Sequence, residues 1–200
     1  MKIRKEFRVE SAHIVRNCTS HRCSHSIHGH SAVIEVMLEG NVLDNAGMLY
    51  DFGLMKGTVK EFIDSMDHCY ILCEKDDPAF KEFIMNTCDR YIVVPFNPSA
   101  ECLSMWIHQV INHIISHTRT NNGEGKIRCC GVRYHETTTG WAESSESDLI
   151  TTWDYRWNNK DGYGFSVGVI KDWSMDLRRI LLLNENVENP KIEQQIDLRN

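Results

Sequence analysis

Two stretches of strict alternation, residues 3–13 and 28–39, do most to limit what this chain can fold into. In the first, Ile3, Phe7, Val9, Ser11 and His13 share one parity, and Arg4, Glu6, Arg8 and Glu10 share the other. Successive side chains of a strand point to opposite faces, so the pattern predicts a half-buried strand. In the second, Ala32, Ile34, Val36 and Leu38 face one way, and Glu35 and Glu39 the other. His28 and His30 are in phase with the apolar set of their strand, as His13 is with Phe7 and Val9. If the two strands pair as a hairpin, three imidazoles converge on one side of a sheet.

Three neutral nitrogen ligands on two strands leave one tetrahedral position open, which marks a catalytic rather than a structural zinc. Gly29, between two of them, allows close backbone approach. The competing reading is that His28 and His30 are ordinary core or surface histidines. His21 and His25 are rival ligands, but they fall in residues 14–27, which read as a loop where no parity positions them. Cys23, in RCSHSIHGH, could act as a base beside a cation, close the site as a fourth ligand, or be a passive thiol. Cys18 is the same residue type in the same loop, and the residues alone do not separate the two.

Further along, Met55, Val59, Phe62, Ile63 and Met66 predict a helix over 53–66. A shorter one starts at Asp77-Pro78, where Asp caps and Pro suits the first turn. Leu103, Trp106, Ile107, Val110, Ile111 and Ile114 predict a helix over 99–117, with Ser99 as N-cap. Residues 127–136 read as a strand, and another starts at Trp141. The order is strand, strand, helix, helix, strand, strand, which predicts an α+β layer: an antiparallel sheet with helices on one face. Beyond Ser147 the character changes. Leu149, Thr151, Trp153, Tyr155 and Trp157 alternate as in a strand, 158–164 read as a loop, 174–183 as a helix, and 184–200 are polar. The chain thus divides into a domain at 1–145 and a C-terminal extension at 146–200, which we expect to serve packing or oligomer contact.

Twenty-eight acids against 22 bases give a net charge of -6, which argues against nonspecific nucleic-acid binding. No apolar run reaches the roughly 18 residues of a membrane span. The N-terminus has no continuous apolar core, so a cytoplasmic protein is expected. The eight cysteines include no CxxC pair and are expected to be free thiols.

Three other groups could carry chemistry. Asp67-His68 sets a carboxylate beside an imidazole, suited to proton transfer but equally to a helix end. Glu136 is in phase with Cys130, Val132 and Tyr134, at the end of an apolar face. A buried carboxylate needs partners, and the paired N–H edge of a guanidine-like heterocycle is one; the alternative is a solvated acid past the strand end. Glu101 opens the 99–117 helix, where an acid suits the dipole.

The segments FRVESAH (7–13), Cys23 with HGHS (28–31), GMLYDFGLMK (47–56), MDH (66–68), PSAECLSMWI (98–107) and HETTTG (135–140) occur in one order. Together the chain resembles the 6-pyruvoyltetrahydropterin synthase / 6-carboxytetrahydropterin synthase family over about residues 3–145. The resemblance implies the tunnelling fold, in which small ββααββ subunits form oligomeric barrels, commonly hexamers, with active sites between subunits. It implies Zn2+ held by His13, His28 and His30, Cys23 as general base, and Asp67 and His68 as a proton relay. It implies Glu136 as anchor of the pterin ring, with Glu101 assisting. The implied substrate is 7,8-dihydroneopterin triphosphate, and the implied partners include no nucleic acid and no membrane. The 6-carboxy branch, which feeds queuosine and deazapurine synthesis, is the reading preferred here. The alternatives are a 6-pyruvoyl synthase of tetrahydrobiopterin synthesis and a non-catalytic pterin- or zinc-binding relative. Two departures bear on this. Four residues separate Cys23 from His28, between the three of the 6-carboxy branch and the five of the 6-pyruvoyl branch. Ala100 replaces a hydroxyl residue in the PSAE segment.

Overall fold

The computed structural model describes residues 1–149 and 164–189. The strands are β1 (Lys2–His13), β2 (His28–Gly40), β3 (Cys69–Cys73), β4 (Tyr91–Val94), β5 (Thr118–Arg119), β6 (Ile127–His135), β7 (Trp141–Ser144), β8 (Gly164–Phe165) and β9 (Val187–Glu188). The helices are α1 (His21–His25), α2 (Thr58–Asp64), α3 (Pro78–Thr87), α4 (Ala100–Ser116), α5 (Val167–Ile170) and α6 (Met175–Leu183). Seven strands form one sheet in the order β7-β6-β2-β1-β3-β4-β8, and β5 pairs with β9 separately.

The hairpin of β1 and β2 is antiparallel over its whole length and sets His13 opposite His28 and Ser11 opposite His30. The sheet is not purely antiparallel, however. β3 runs parallel to β1 at Ser11–His13, and β4 runs parallel to β3. Nor do the helices keep to one face. Ile71, Ile92 and Val94 face the main core, while Tyr70, Leu72 and Val93 pack with Ile84 of α3 in a second cluster. β3 is buried along its entire length, which is why CYILC reads as a continuous apolar run instead of an alternation.

The main core lies between the sheet and α4. Leu103, Trp106, Ile107, Val110, Ile111 and Ile114 are buried against Ile34, Val36, Leu38, Val132 and Tyr134. Each such side chain stabilises the fold by about 1.5–3 kcal/mol relative to exposure. Ser99 caps α4 through Cys102 N–H at 3.3 Å, and Asp77 caps α3 through Phe80 N–H at 3.0 Å. The predicted helix 53–66 is broken at Gly57, whose ψ of -125° leaves the helical region, into a 3-10 turn (Leu54–Lys56) and α2. A β-bulge between Met37 and Leu38 shifts the phase of β6, so Cys129 faces the core and Cys130 does not share the buried parity of Val132.

Residues 164–189 enter the same core. Phe165, Val169, Trp173, Leu177, Ile180 and Leu181 are buried in it, and Phe165 packs edge-on to Phe62 and Trp173. Ser174 caps α6, as the helix predicted over 174–183 requires. The alternation through Trp153, Tyr155 and Trp157 lies outside the described residues. No helix among the described residues is long and apolar enough to cross a membrane, and all eight cysteines are free thiols.

Candidate metal centre

The structure brings His13, His28 and His30 together at one end of the β1–β2 hairpin. A ligand atom from each lies within 4.8 Å of the others, and the ring centroids are 4.6–5.3 Å apart. The register that pairs His13 with His28 does this, because residues of one parity share a face. Gly29 sits where an added Cβ would be 3.0 Å from the Ser11 carbonyl oxygen, so the tight hairpin tolerates little else.

Hydrogen bonds fix the tautomers. His13 Nδ1–H donates to the Pro98 carbonyl at 2.8 Å, and His28 Nδ1–H to the Ser26 carbonyl at 3.0 Å. A carbonyl only accepts, so each ring carries a proton on Nδ1, and its neutral form offers the Nε2 lone pair. Pro98 is itself held. Asn97 accepts the Arg16 backbone N–H at 2.9 Å and donates to the Arg16 carbonyl at 2.7 Å. This outer support was not visible in the sequence, because it joins residues about 80 positions apart.

The Nε2 atoms of His13 and His30 are buried without a hydrogen-bond partner. Leaving two buried imidazole nitrogens unpaired is costly, and a cation at the centre of the cluster would satisfy both rings in their neutral form. Burial first, then the neighbouring His28 and His30, push the His13 pKa down to about 4. His13 is therefore neutral at physiological pH, the form a metal requires. Three imidazoles suit zinc, copper, iron or nickel, and three protein ligands with an open position are the catalytic arrangement of zinc. These residues fit a metal ion.

The other expected site residues fall at different distances from the cluster. Glu136, just past β6, directs Oε1 to 3.5 Å from His13 Nε2 and 3.6 Å from His30 Nε2. The 136–140 turn holds it there: Glu136 N–H donates to the Gly140 carbonyl, and Thr137 Oγ1 accepts Gly140 N–H. Cys23 stands on α1, the single turn that interrupts the predicted 14–27 loop, and its carbonyl accepts Val15 N–H at 3.0 Å. Neither Cys23 nor Cys18 joins the ligand group, and the Cys18 thiol donates to the Ser20 carbonyl. His21 and His25 stack on each other on α1, away from the trio. Glu101 is exposed on the first turn of α4, three residues after Pro98.

Asp67 and His68 form a hydrogen-bonded pair, His68 Nδ1 to Asp67 Oδ2 at 2.9 Å. The pair is pinned to β1 through Glu10. Glu10 N–H donates to Asp67 Oδ1 at 2.7 Å, and His68 N–H donates to the Glu10 carbonyl at 2.7 Å. Burial works to raise the Asp67 pKa, but the Glu10 N–H, His68 and Arg90 outweigh it and hold the carboxyl below its ordinary value. His68 and His30 line one open cleft of about 660 Å³, with Ser11, Gly29 and Arg90 on its walls.

The sequence profile of the 6-pyruvoyl tetrahydropterin synthase family matches residues 2–147. The chain belongs to this family. A 6-carboxy-5,6,7,8-tetrahydropterin synthase of Helicobacter pylori (strain J99) is 42% identical to it over 149 residues, 74% of either chain. One of Aquifex aeolicus is 28% identical, covering 72% of this chain and 97% of its own. Among solved structures, an uncharacterized protein from Wolinella succinogenes superposes with a TM-score of 0.58 at 22% identity, over 73% of this chain and 98% of that one. The Caenorhabditis elegans 6-pyruvoyl tetrahydropterin synthase gives 0.50 at 18%, over 72% and 94%. These two likenesses show a shared α+β fold.

Proposed function

We propose that the chain is a zinc-dependent 6-carboxy-5,6,7,8-tetrahydropterin synthase. In this reading it converts 7,8-dihydroneopterin triphosphate and water to 6-carboxytetrahydropterin, acetaldehyde and triphosphate. The carrying observation is the His13–His28–His30 cluster with its bare, buried nitrogens, in a chain 42% identical to a protein of that name.

His13, His28 and His30 hold the zinc in this reading. When bound, zinc supplies Lewis acidity toward the oxygens of the substrate side chain. Cys23 takes a proton from the side-chain carbon as its thiolate. Asp67 orients His68, and His68 passes protons to the departing fragments. Glu136 accepts the paired N–H edge of the pterin ring by charge-assisted hydrogen bonds, with Glu101 assisting from α4. Residues 1–145 form the pterin-synthase domain, and 146–200 are an added segment serving packing or oligomer contact. The working form is a cytoplasmic homo-oligomer, a hexameric barrel, whose product feeds queuosine and deazapurine synthesis.

A 6-pyruvoyl product is the second reading, kept open because the four-residue gap between Cys23 and His28 matches neither branch. Incubation with 7,8-dihydroneopterin triphosphate and zinc, followed by mass spectrometry, tests both. Acetaldehyde with 6-carboxytetrahydropterin is the expected outcome. A 6-pyruvoyl product would select the second reading. Zinc bound with the substrate unchanged would mean a binding relative and overturn both.

A further inference from the structure

The family profile stops at residue 147, yet residues 166–174 reach back to the peptide that carries Asp67 and His68. The link is Arg90, just before β4. Its Nε–H donates to the Asp67 carbonyl at 3.0 Å, and Nη2 donates to the carbonyls of Asp64 at 2.9 Å and Ser65 at 3.5 Å. The remaining nitrogen, Nη1, donates to the Gly168 carbonyl at 3.3 Å and to Asp172 Oδ2. One guanidinium therefore ties the end of α2 to the extension, and its planar fork is what lets one side chain bind both.

Contacts on either side make this a braced joint. Trp173 Nε1–H donates to Ser65 Oγ at 2.7 Å, and the Ser174 hydroxyl donates to Glu61 Oε2 at 2.6 Å. Ser166 Oγ–H donates to the Asp89 carbonyl, and Lys171 pairs with Asp89 at 2.6 Å. Gly168 packs so closely that an added Cβ would lie 2.1 Å from the Asp89 carbonyl oxygen. The held peptide needs bracing, because His68 has a φ of 52°, a left-handed conformation that strains a non-glycine residue.

We propose that Arg90 and the Ser166–Ser174 segment act as a clamp that positions the Asp67–His68 pair. Arg90 is a positioning residue, acting through the Asp67 backbone, and Asp172 and Gly168 hold its outer side. The inference rests on the reading above, in which the pair moves protons.

Arg90→Ala, Arg90→Lys, Asp172→Ala and Asp67→Asn are each compared with the parent, full-length and zinc-loaded. The readouts are kcat, KM, zinc per chain and amide hydrogen exchange at residues 64–68. For Arg90→Ala the clamp predicts faster exchange at 64–68, unchanged zinc content, KM within about threefold and a kcat fall of about tenfold or more, since small misplacements near the chemistry cost this much. Arg90→Lys, with one donor head, falls between the two. Asp172→Ala shifts exchange and kcat the same way by less, and tests the clamp even if Arg90→Ala does not fold. Unchanged exchange at 64–68 in both Arg90→Ala and Asp172→Ala overturns the clamp whatever the activity. An unchanged kcat in Arg90→Ala while Asp67→Asn is impaired overturns its positioning role but leaves the relay standing. An unchanged kcat in Asp67→Asn overturns the relay itself, while the exchange data still judge the clamp.

Discussion

Asp67 gives the residue scale its clearest pH signature. Its folded pKa lies below the ordinary 3.8, because the Glu10 N–H, His68 and Arg90 outweigh the opposing effect of burial. A depressed carboxylate contributes stability that is present above its unfolded pKa and lost as pH falls through the folded value. Asp67→Asn removes this component. Denaturant unfolding should therefore show the variant less stable than the parent at pH 6, with the gap narrowing as the pH falls below 3.8. A gap that stayed constant with pH would mean Asp67 contributes no ionised contacts. The two loop thiols separate at the same scale. Cys23→Ala is expected to lower turnover by at least about a hundredfold, the usual scale of a lost general base, and Cys18→Ala to leave it within about twofold. The reverse result would reassign the base.

At the element scale, residues 164–189 behave as core. Trp173 is buried against Phe165 and donates to Ser65, so Trp173→Ala should cost about 3–5 kcal/mol in chemical denaturation. A loss under about 1 kcal/mol would show the segment to be loosely held. The elements that alternate or carry helical stripes were legible in sequence: β1, β2, α4, and α3 from its Asp-Pro start. Parity alone places His13, His28 and His30 on one face, and the structure agrees. β3 was not legible, because a strand buried on both faces loses its period. The parity of Cys130 failed because a bulge adds a residue that no local pattern marks. Gly57 interrupts a run whose apolar spacing is otherwise helical. The roles of Arg90 and of the Pro98 carbonyl are not legible for a different reason. Their partners lie far away in sequence, and a backbone carbonyl has no side-chain identity to read.

At the scale of the whole molecule, the sheet divides labour between its faces. The inner face holds the core and, at its end, the histidine cluster. The outer face packs against α3 at β3 and β4 and is charged across β1, β2 and β6: Glu35, nearly fully buried, accepts from Arg4 at 3.0 Å and Arg133 at 3.2 Å, and pairs with His135 at 3.2 Å. A buried carboxylate with three cationic or donor partners is satisfied where it stands, so it competes for no metal. The histidine trio is different, since it leaves two buried nitrogens unpaired in a family of tetrahydropterin synthases. On the proposed function, this cluster is the metal centre on which turnover depends. The direct measurement strips the protein with a chelator, restores one equivalent of zinc per chain, and follows 7,8-dihydroneopterin triphosphate by mass spectrometry beside His28→Ala. The stripped protein is expected to give no product and to recover on adding zinc, and the variant to show neither bound zinc nor product. Full turnover by the stripped protein, or undiminished zinc and turnover in His28→Ala, would contradict it.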